Sequence, residues 1–468
     1  MSSIRQKIYW KAPYLVKNLM ASINAMILNR QRFGPDYQRV LGELAEHDKW
    51  SAEQFRQYQC VQLQSLIRHV SEKVPYYQKM FAEKGINPES ITKPQDLQRL
   101  PILEKTVARS DPMSLLDRTL DRRKLIAVHT SGTTGMPINL YRDVSFNSAV
   151  WAFSEARGYA MVGMSRRTNR FVSVGGRLVT EPHRTKPPFW VHNSYWNQLY
   201  MSSYHLLPKY LGYYVDEIRS FKPDFIQAYP SSVYAIAQFI VNNNIEPVLT
   251  KACFTTAENL FDQQRETIKK AFGCKTYNHY GCGEMAIFAM ECPYGSMHLS
   301  PEVAIVEVVD ENDKLLPPGQ IGQLIGTSLI NRVQPFVRYR IGDIGALATE
   351  QNCPCGKSLP IIKYIGGRNT DTLYSTERGT IGSAGLSTAL YKMPQRFVMS
   401  QIEQIGKDSF IFRYVPEGNP LNKQEISTVL EELHNRLGIS VEIKIEAVEN
   451  IERTAAGKFR AVLCSKRE

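Results

Sequence analysis

Tyr14, Leu15, Leu19, Ile23 and Ile27 recur at helical spacing, and so do Leu63, Leu66, Ile67, Val70 and Val74 before the break at Pro75. Repeats of three and four residues mark one face of a helix and proline stops it, so residues from about 51 to 109 read as helices. The pattern changes at Leu125-Ile126-Ala127-Val128-His129, a short apolar run fit for a buried strand. Thr130 to Gly135 follow as a turn of Gly, Ser and Thr, and a second apolar segment begins at Ile138. Between about 203 and 280, helical segments alternate with runs such as Phe225-Ile226-Gln227-Ala228-Tyr229 and Ala252-Cys253-Phe254, which predicts βαβ units around a parallel sheet. From 302 to 347 short strands dominate, among them 304–309 and 321–325. Gly366-Gly367 reads as a hinge, and beyond it strands at 409–414 and 440–445 flank a helix from Lys423 to Leu437. The expected fold class is α/β, a large multi-sheet N-terminal domain followed by a small α+β C-terminal domain.

A length of 468 residues exceeds one ordinary hydrophobic core, which supports a division into a helical segment over 1–50, a large domain over 51–367 and a small mobile domain over 368–468. No repeat or low-complexity tract interrupts it, and 43% hydrophobic with 22% charged residues excludes extended disorder. Charge changes the picture at the N-terminus. Of the net +12, half lies in the first forty residues, where Arg5, Lys7, Lys11, Lys17, Arg30, Arg32 and Arg39 oppose only Asp36. The apolar stripe of this segment has two readings: it packs on the protein's own core, or it lies on an anionic membrane surface as a basic amphipathic helix. Lys17 interrupts it, so it is no transmembrane span. The segment lacks the apolar region and cleavage site of a signal peptide, so a cytoplasmic location is expected. Positive charge elsewhere is diffuse and accompanies no recognised module, which argues against nucleic-acid binding.

Candidate chemistry begins with Thr130-Ser131-Gly132-Thr133-Thr134-Gly135-Met136-Pro137. Glycines let a backbone approach a phosphate closely, and hydroxyls and N–H groups then donate to the anion; the spacing is not that of a P-loop. Tyr280-Gly281-Cys282-Gly283-Glu284 adds an aromatic face and a carboxylate. Arg338-Tyr339-Arg340-Ile341-Gly342-Asp343 adds a second carboxylate, Gly367-Arg368 follows, and Arg453-Thr454-Ala455-Ala456-Gly457-Lys458-Phe459-Arg460 lies near the C-terminus. In this order the set resembles the core motifs of the adenylate-forming superfamily, in the phenylacetate-CoA ligase-like branch that includes capsular polysaccharide biosynthesis proteins. The resemblance runs from about Tyr9 to the C-terminus.

That resemblance implies a role for each group. Ser131, Gly132, Thr133, Thr134 and Gly135 would hold the β- and γ-phosphates of ATP, while Ala257-Glu258-Asn259 and Tyr280 would line the adenine. Glu284 would ligate magnesium, Asp343 would accept hydrogen bonds from the ribose, and Arg368 would assist at ribose or phosphate. Lys458 would stabilise charge on the α-phosphate and carboxylate during adenylation. The implied reaction is ATP-dependent activation of a small carboxylic acid as an acyl-adenylate, followed by transfer to coenzyme A, a carrier thiol or an amine such as a sugar amine. The acyl pocket is expected near Tyr229, Pro230, Phe254 and Tyr280-Gly281. Relatives usually carry an acidic hinge residue about two places after Arg368, whereas this chain has Asn369-Thr370 and then Asp371; Ser375 to Ser383 also diverges. Those departures put the second half-reaction in doubt, and with the basic N-terminus they motivate a rival reading, a non-catalytic peripheral membrane or scaffold protein on a decayed ligase fold. Retention of Lys458, Glu284, Asp343 and the phosphate loop argues against it.

Cysteine supplies a further constellation. Cys60, Cys253, Cys274 and Cys464 stand isolated, but Cys292, His298, Cys353 and Cys355 together supply three thiols and one imidazole, the donor set of a closed structural zinc site. The plainer alternative is a pair of reduced surface thiols and a polar strand histidine.

Overall fold

A computed structural model describes residues 9–129, 138–177, 179–181, 184–368, 372–377, 379–382, 396–454 and 458–464. Contacts divide the chain into two discontinuous units: Met1–Ala25, Arg166–Asn278 and Gly366–Glu468 form one, and Met26–Ser165 with His279–Ile365 the other.

In the first unit, Ala252–Thr256, Phe225–Ala228, Phe171–Gly175 and Gln198–Ser202 run parallel in that order, and Trp190–Asn193 closes the edge antiparallel. Phe171-Val172-Ser173-Val174 is buried throughout, as a parallel strand covered on both faces must be. The helices Pro208–Phe221 and Pro230–Asn242 each begin with proline, whose missing N–H costs nothing in the first turn. The βαβ reading therefore holds. The same unit carries the C-terminal α+β fold, in which Glu442–Ala447, Ser409–Pro416, Phe397–Gly406 and Val462–Cys464 form a four-stranded sheet in that order. The helix Lys423–Leu437 has the expected bounds. Asn422 and Glu425 close a capping box at its start, and Val429, Leu433 and Leu437 face Phe410, Phe412 and Tyr414.

The N-terminal helix Tyr14–Arg32 overturns the core-packing reading of its stripe. Leu15, Val16, Leu19, Ile23, Met26 and Ile27 face solvent, whereas Lys17 and Ala25 are 5% and 1% exposed. The cause is the open sheet edge at Trp190–Asn193: Asn18 Oδ1 accepts the His192 N–H and Ser22 Oγ accepts the Ser194 N–H, each at 3.0 Å. Unpaired strand N–H groups demand acceptors, so the helix turns its polar side inward.

In the second unit the helix Ala52–Lys73 ends and Pro75–Lys84 begins at the expected break, and Leu63, Leu66, Ile67 and Val70 pack on the antiparallel sheet Ala304–Val309, Gly322–Ser328, Tyr339–Leu347 and Ile362–Arg368. Gly366 and Gly367, read as a hinge, lie within the last strand, at the point where the chain leaves the second unit for the first. Tyr77 spans the layers, donating to Pro335 O at 3.0 Å and accepting the Val337 N–H at 2.9 Å. Ile126–His129 pairs with Asn139–Arg142 as an antiparallel hairpin flanking the Gly/Ser/Thr turn. It is not the buried strand expected, since Ala127 is exposed and Ile126 and Val128 are only half-buried. The turn itself, with Ser131, Gly132, Thr133, Thr134 and Gly135, lies outside the described residues. Arg157 is buried between Asp48 and Glu302, with Glu302 1% exposed.

Replacing Arg157 by Met keeps the volume but leaves the buried Glu302 carboxylate, among the described residues, only His47, whose Nδ1 lies 3.4 Å from it, so chemical denaturation is expected to show a loss of about 3 kcal/mol. A loss below about 1 kcal/mol would show that Glu302 is otherwise neutralised.

Candidate active site

The predicted site residues divide between the units. In the second, the strand Lys275–Gly281 delivers Tyr280, paired with Ala289, and the Tyr280 hydroxyl donates to Asp343 Oδ2 at 2.7 Å. The carboxylate is thus oriented by the ring expected to line adenine. Gly342, just before it, has φ +82°, and a Cβ there would stand 2.8 Å from Lys105 Nζ, so the turn requires glycine and lies against that amine.

Glu284 is 4% exposed, and the Tyr339 hydroxyl donates to its Oε1 at 2.8 Å. Burial, and then the Glu284 charge, push the Tyr339 phenol far above its ordinary pKa, so it remains a donor. Arg142 donates to Gly283 O at 2.7 Å; burial lowers its pKa and attraction to Glu284 opposes the shift. The Glu284 turn is tightly seated: Met285 has φ +55°, and a Cβ on Gly326 would lie 1.9 Å from Ala286 O. The arginines flanking Tyr339 are scaffold. Arg338 donates to Leu100 O at 2.6 Å, and Arg340 pairs with Glu104 at 2.8 Å and Asp313 at 2.7 Å. Sequence reading missed Arg142 and Lys105, which no local motif connects to the site, and gave no role to Tyr339, although it lies within the motif that carries Asp343.

In the first unit the carboxyl ends of the parallel strands gather Tyr229, Pro230 and the segment Thr256 to Asn259, the usual place for a ligand crevice in such a sheet. Ala257 has φ +74°, a left-handed conformation that a non-glycine residue adopts only under constraint. Glu258 supplies the constraint: its Oε2 accepts the Ser231 N–H at 3.0 Å and its Oε1 the Phe459 N–H at 2.6 Å. Lys458 sits in a turn closed by its own N–H to Thr454 Oγ1 at 3.1 Å and by the Thr454 N–H to Lys458 O at 2.9 Å. Arg453 donates to Ser231 Oγ at 3.2 Å; burial lowers its pKa while the Glu258 charge opposes that. The structure therefore brings Ala257, Glu258 and Asn259 together with the Lys458 segment, and gives the Glu258 carboxylate a bracing job. Arg368 ends the strand Ile362–Arg368, and its side chain lies outside the described residues, as do Asn369, Thr370 and Asp371.

Cys292, His298, Cys353 and Cys355 converge, with their ligand atoms all within 4.8 Å of one another. Two tight turns with left-handed glycines, Gly295 and Gly356, present the thiols. His298 Nδ1 lies 3.1 Å from Leu359 O, which can only accept, so Nδ1 carries the proton and Nε2 faces Cys355 Sγ at 3.3 Å. A carbonyl that fixes the imidazole tautomer is the usual outer support of a metal-binding histidine.

A family model described as the CapK C-terminal domain matches residues 373–465. The protein CapK of Staphylococcus aureus is 30% identical over 459 residues, covering 97% of this chain and 98% of that protein. The chain belongs to the CapK family. A phenylacetate-coenzyme A ligase of Thermus thermophilus is 27% identical over 345 residues, 69% of this chain and 72% of the relative. Among solved structures, a 2-hydroxyisobutyryl-CoA ligase in the postadenylation state, in complex with R3-HIB-AMP, matches with a TM-score of 0.71 at 19% identity over 90% of this chain and 92% of that one. The fold is thus the one shared by adenylate-forming CoA ligases, as the motifs implied.

Within this CapK member, Glu258→Ala leaves two backbone donors without their acceptor. Hydrogen exchange at the Phe459 amide is expected to rise at least about tenfold, as for a lost bond of about 1–3 kcal/mol. Exchange within the helix Lys423–Leu437 should stay as in the parent; a rise spread evenly over the C-terminal sheet would mean global loosening instead.

Proposed function

We propose that the chain activates a small carboxylic acid with ATP and transfers the acyl group to a thiol or amine. The observation that carries this reading is the Glu258 carboxylate, which seats the Lys458 turn against Ala257-Glu258-Asn259. In the first step an acid oxygen attacks the α-phosphorus, the bond from that phosphorus to the bridging oxygen breaks, and pyrophosphate leaves with the electron pair. Lys458 stabilises the charge gathering on the α-phosphate, Asp343 held by Tyr280 accepts from the ribose hydroxyls, and the loop from Ser131 to Gly135 cradles the outer phosphates. Magnesium would supply charge neutralisation at the phosphates. Glu284, a buried carboxylate beside Arg142 and the Tyr339 hydroxyl, suits a hard cation. In the second step a thiol, coenzyme A by analogy with the ligase relatives, or an amine such as a sugar amine in surface polysaccharide synthesis attacks the acyl carbon. AMP departs and the acceptor's proton passes to solvent. Dependence on ATP and coenzyme A places the work in the cytoplasm.

The cluster of Cys292, His298, Cys353 and Cys355 fits a structural zinc ion, with three thiolates, one neutral imidazole and no position left for reacting water.

Lys458→Ala is expected to lower acid-dependent ATP–pyrophosphate exchange at least about a hundredfold without changing the circular dichroism spectrum. The assay, run across aryl, fatty, hydroxy and amino acids, also identifies the substrate. Parent-level exchange by the variant overturns the role given to Lys458, and no exchange by the parent with any acid favours the decayed-scaffold alternative.

Protein purified without added metal should carry about one zinc per chain, and replacing Cys353 and Cys355 by Ser should remove it and lower the Tm. Metal content near zero in reduced parent protein rejects the zinc assignment.

A further inference from the structure

The helix Tyr14–Arg32 presents solvent with an inverted surface. Its exposed positions are Leu15, Val16, Leu19, Ile23, Met26 and Ile27, and the other exposed residue on it is Arg30. At about 100° per residue these positions fall within one arc of roughly 120°, a continuous apolar ridge with a cation in its midst. The ridge has no way to fold inward. Asn18 and Ser22 hold the opposite side on the sheet edge, and Lys17 lies buried there with its Nζ 5.7 Å from the Tyr9 ring.

We infer that this ridge is a docking surface for an anionic lipid bilayer, on which the helix lies flat. Charge is the first argument. No Asp or Glu precedes Asp36 in the sequence, which also holds Arg5 and Lys7 there, while Lys11 and Arg30, both exposed, flank and interrupt the ridge. A second copy of the chain would bring the same cations face to face.

Area is the second argument. The six side chains expose on the order of 600 Å², more than scattered surface apolar residues account for but less than the roughly 800 Å² per partner of a stable protein interface. A bilayer accepts a lone convex ridge without a complementary groove. No described helix is long and apolar enough to cross a membrane, so the contact is peripheral. This inference does not depend on which acid, if any, the chain activates.

The test is co-sedimentation of the full chain with phosphatidylglycerol–phosphatidylcholine vesicles and with phosphatidylcholine alone. The parent should partition onto anionic vesicles and release several-fold as salt rises from about 0.05 to 0.5 M. The combined variant L19Q, I23Q and I27Q, altered only at exposed positions, should bind at least about tenfold more weakly with unchanged circular dichroism. Equal partitioning by parent and variant, or no partitioning by the parent, overturns the inference. So does light scattering that shows a dimer of the parent which the same substitutions dissociate, since the occupant is then a second copy.

Discussion

One carboxylate governs where the C-terminal sheet meets the parallel sheet. Glu258 spends both oxygens on backbone N–H groups, one at the start of the helix Pro230–Asn242 and one immediately after Lys458. The position of Lys458 is therefore fixed through its peptide chain. The arrangement also resolves an electrostatic conflict. Arg453 donates to Ser231 at a helix N-terminus, where the helix dipole repels a cation, and Glu258 supplies the neutralising charge beside it. Gln238, from the same helix, adds a second tie by donating to Phe397 O at 2.7 Å.

Wherever one face of an element meets one core, its sequence was readable. The helix Lys423–Leu437, the break at Pro75 and the parallel strands Phe225–Ala228 and Ala252–Thr256 follow from periodicity and proline alone. Reading failed where a distant backbone group decided the outcome. The direction of the Tyr14–Arg32 stripe depends on one strand N–H group, at His192, and one just past the strand end, at Ser194, both more than 170 residues away, and periodicity reports a stripe without saying which way it points. The site shows the same division. Tyr280, Asp343, Glu284 and Lys458 stand out as candidates because they sit in short motifs, and Cys292, His298, Cys353 and Cys355 because their chemistry is distinctive. Lys105, Arg142 and the bracing by Glu258 come from long-range packing that carries no local signal.

A chain of ion pairs connects the cysteine cluster to the helical layer of the second unit. Lys357, two residues after Cys355, pairs with Asp48 at 2.6 Å; Asp48 also meets Arg157, and Arg157 meets Glu302. One carboxylate thus serves two cations, so order in the Cys353 turn and burial of Arg157 are parts of the same electrostatic assembly.

The second unit is interrupted, leaving at Ser165 and resuming at His279. Its helices are made first, yet the partners that close them arrive late: Tyr77 finds its acceptor 258 residues downstream. A ribosome adding on the order of 10 residues per second spends roughly 25 seconds in that gap, during which the apolar face of Leu63, Leu66, Ile67 and Val70 has no sheet to rest on. Nascent chains of this protein therefore pass through a long interval with that apolar face uncovered, and a fragment that stops near residue 165 is born without the surface its helices need.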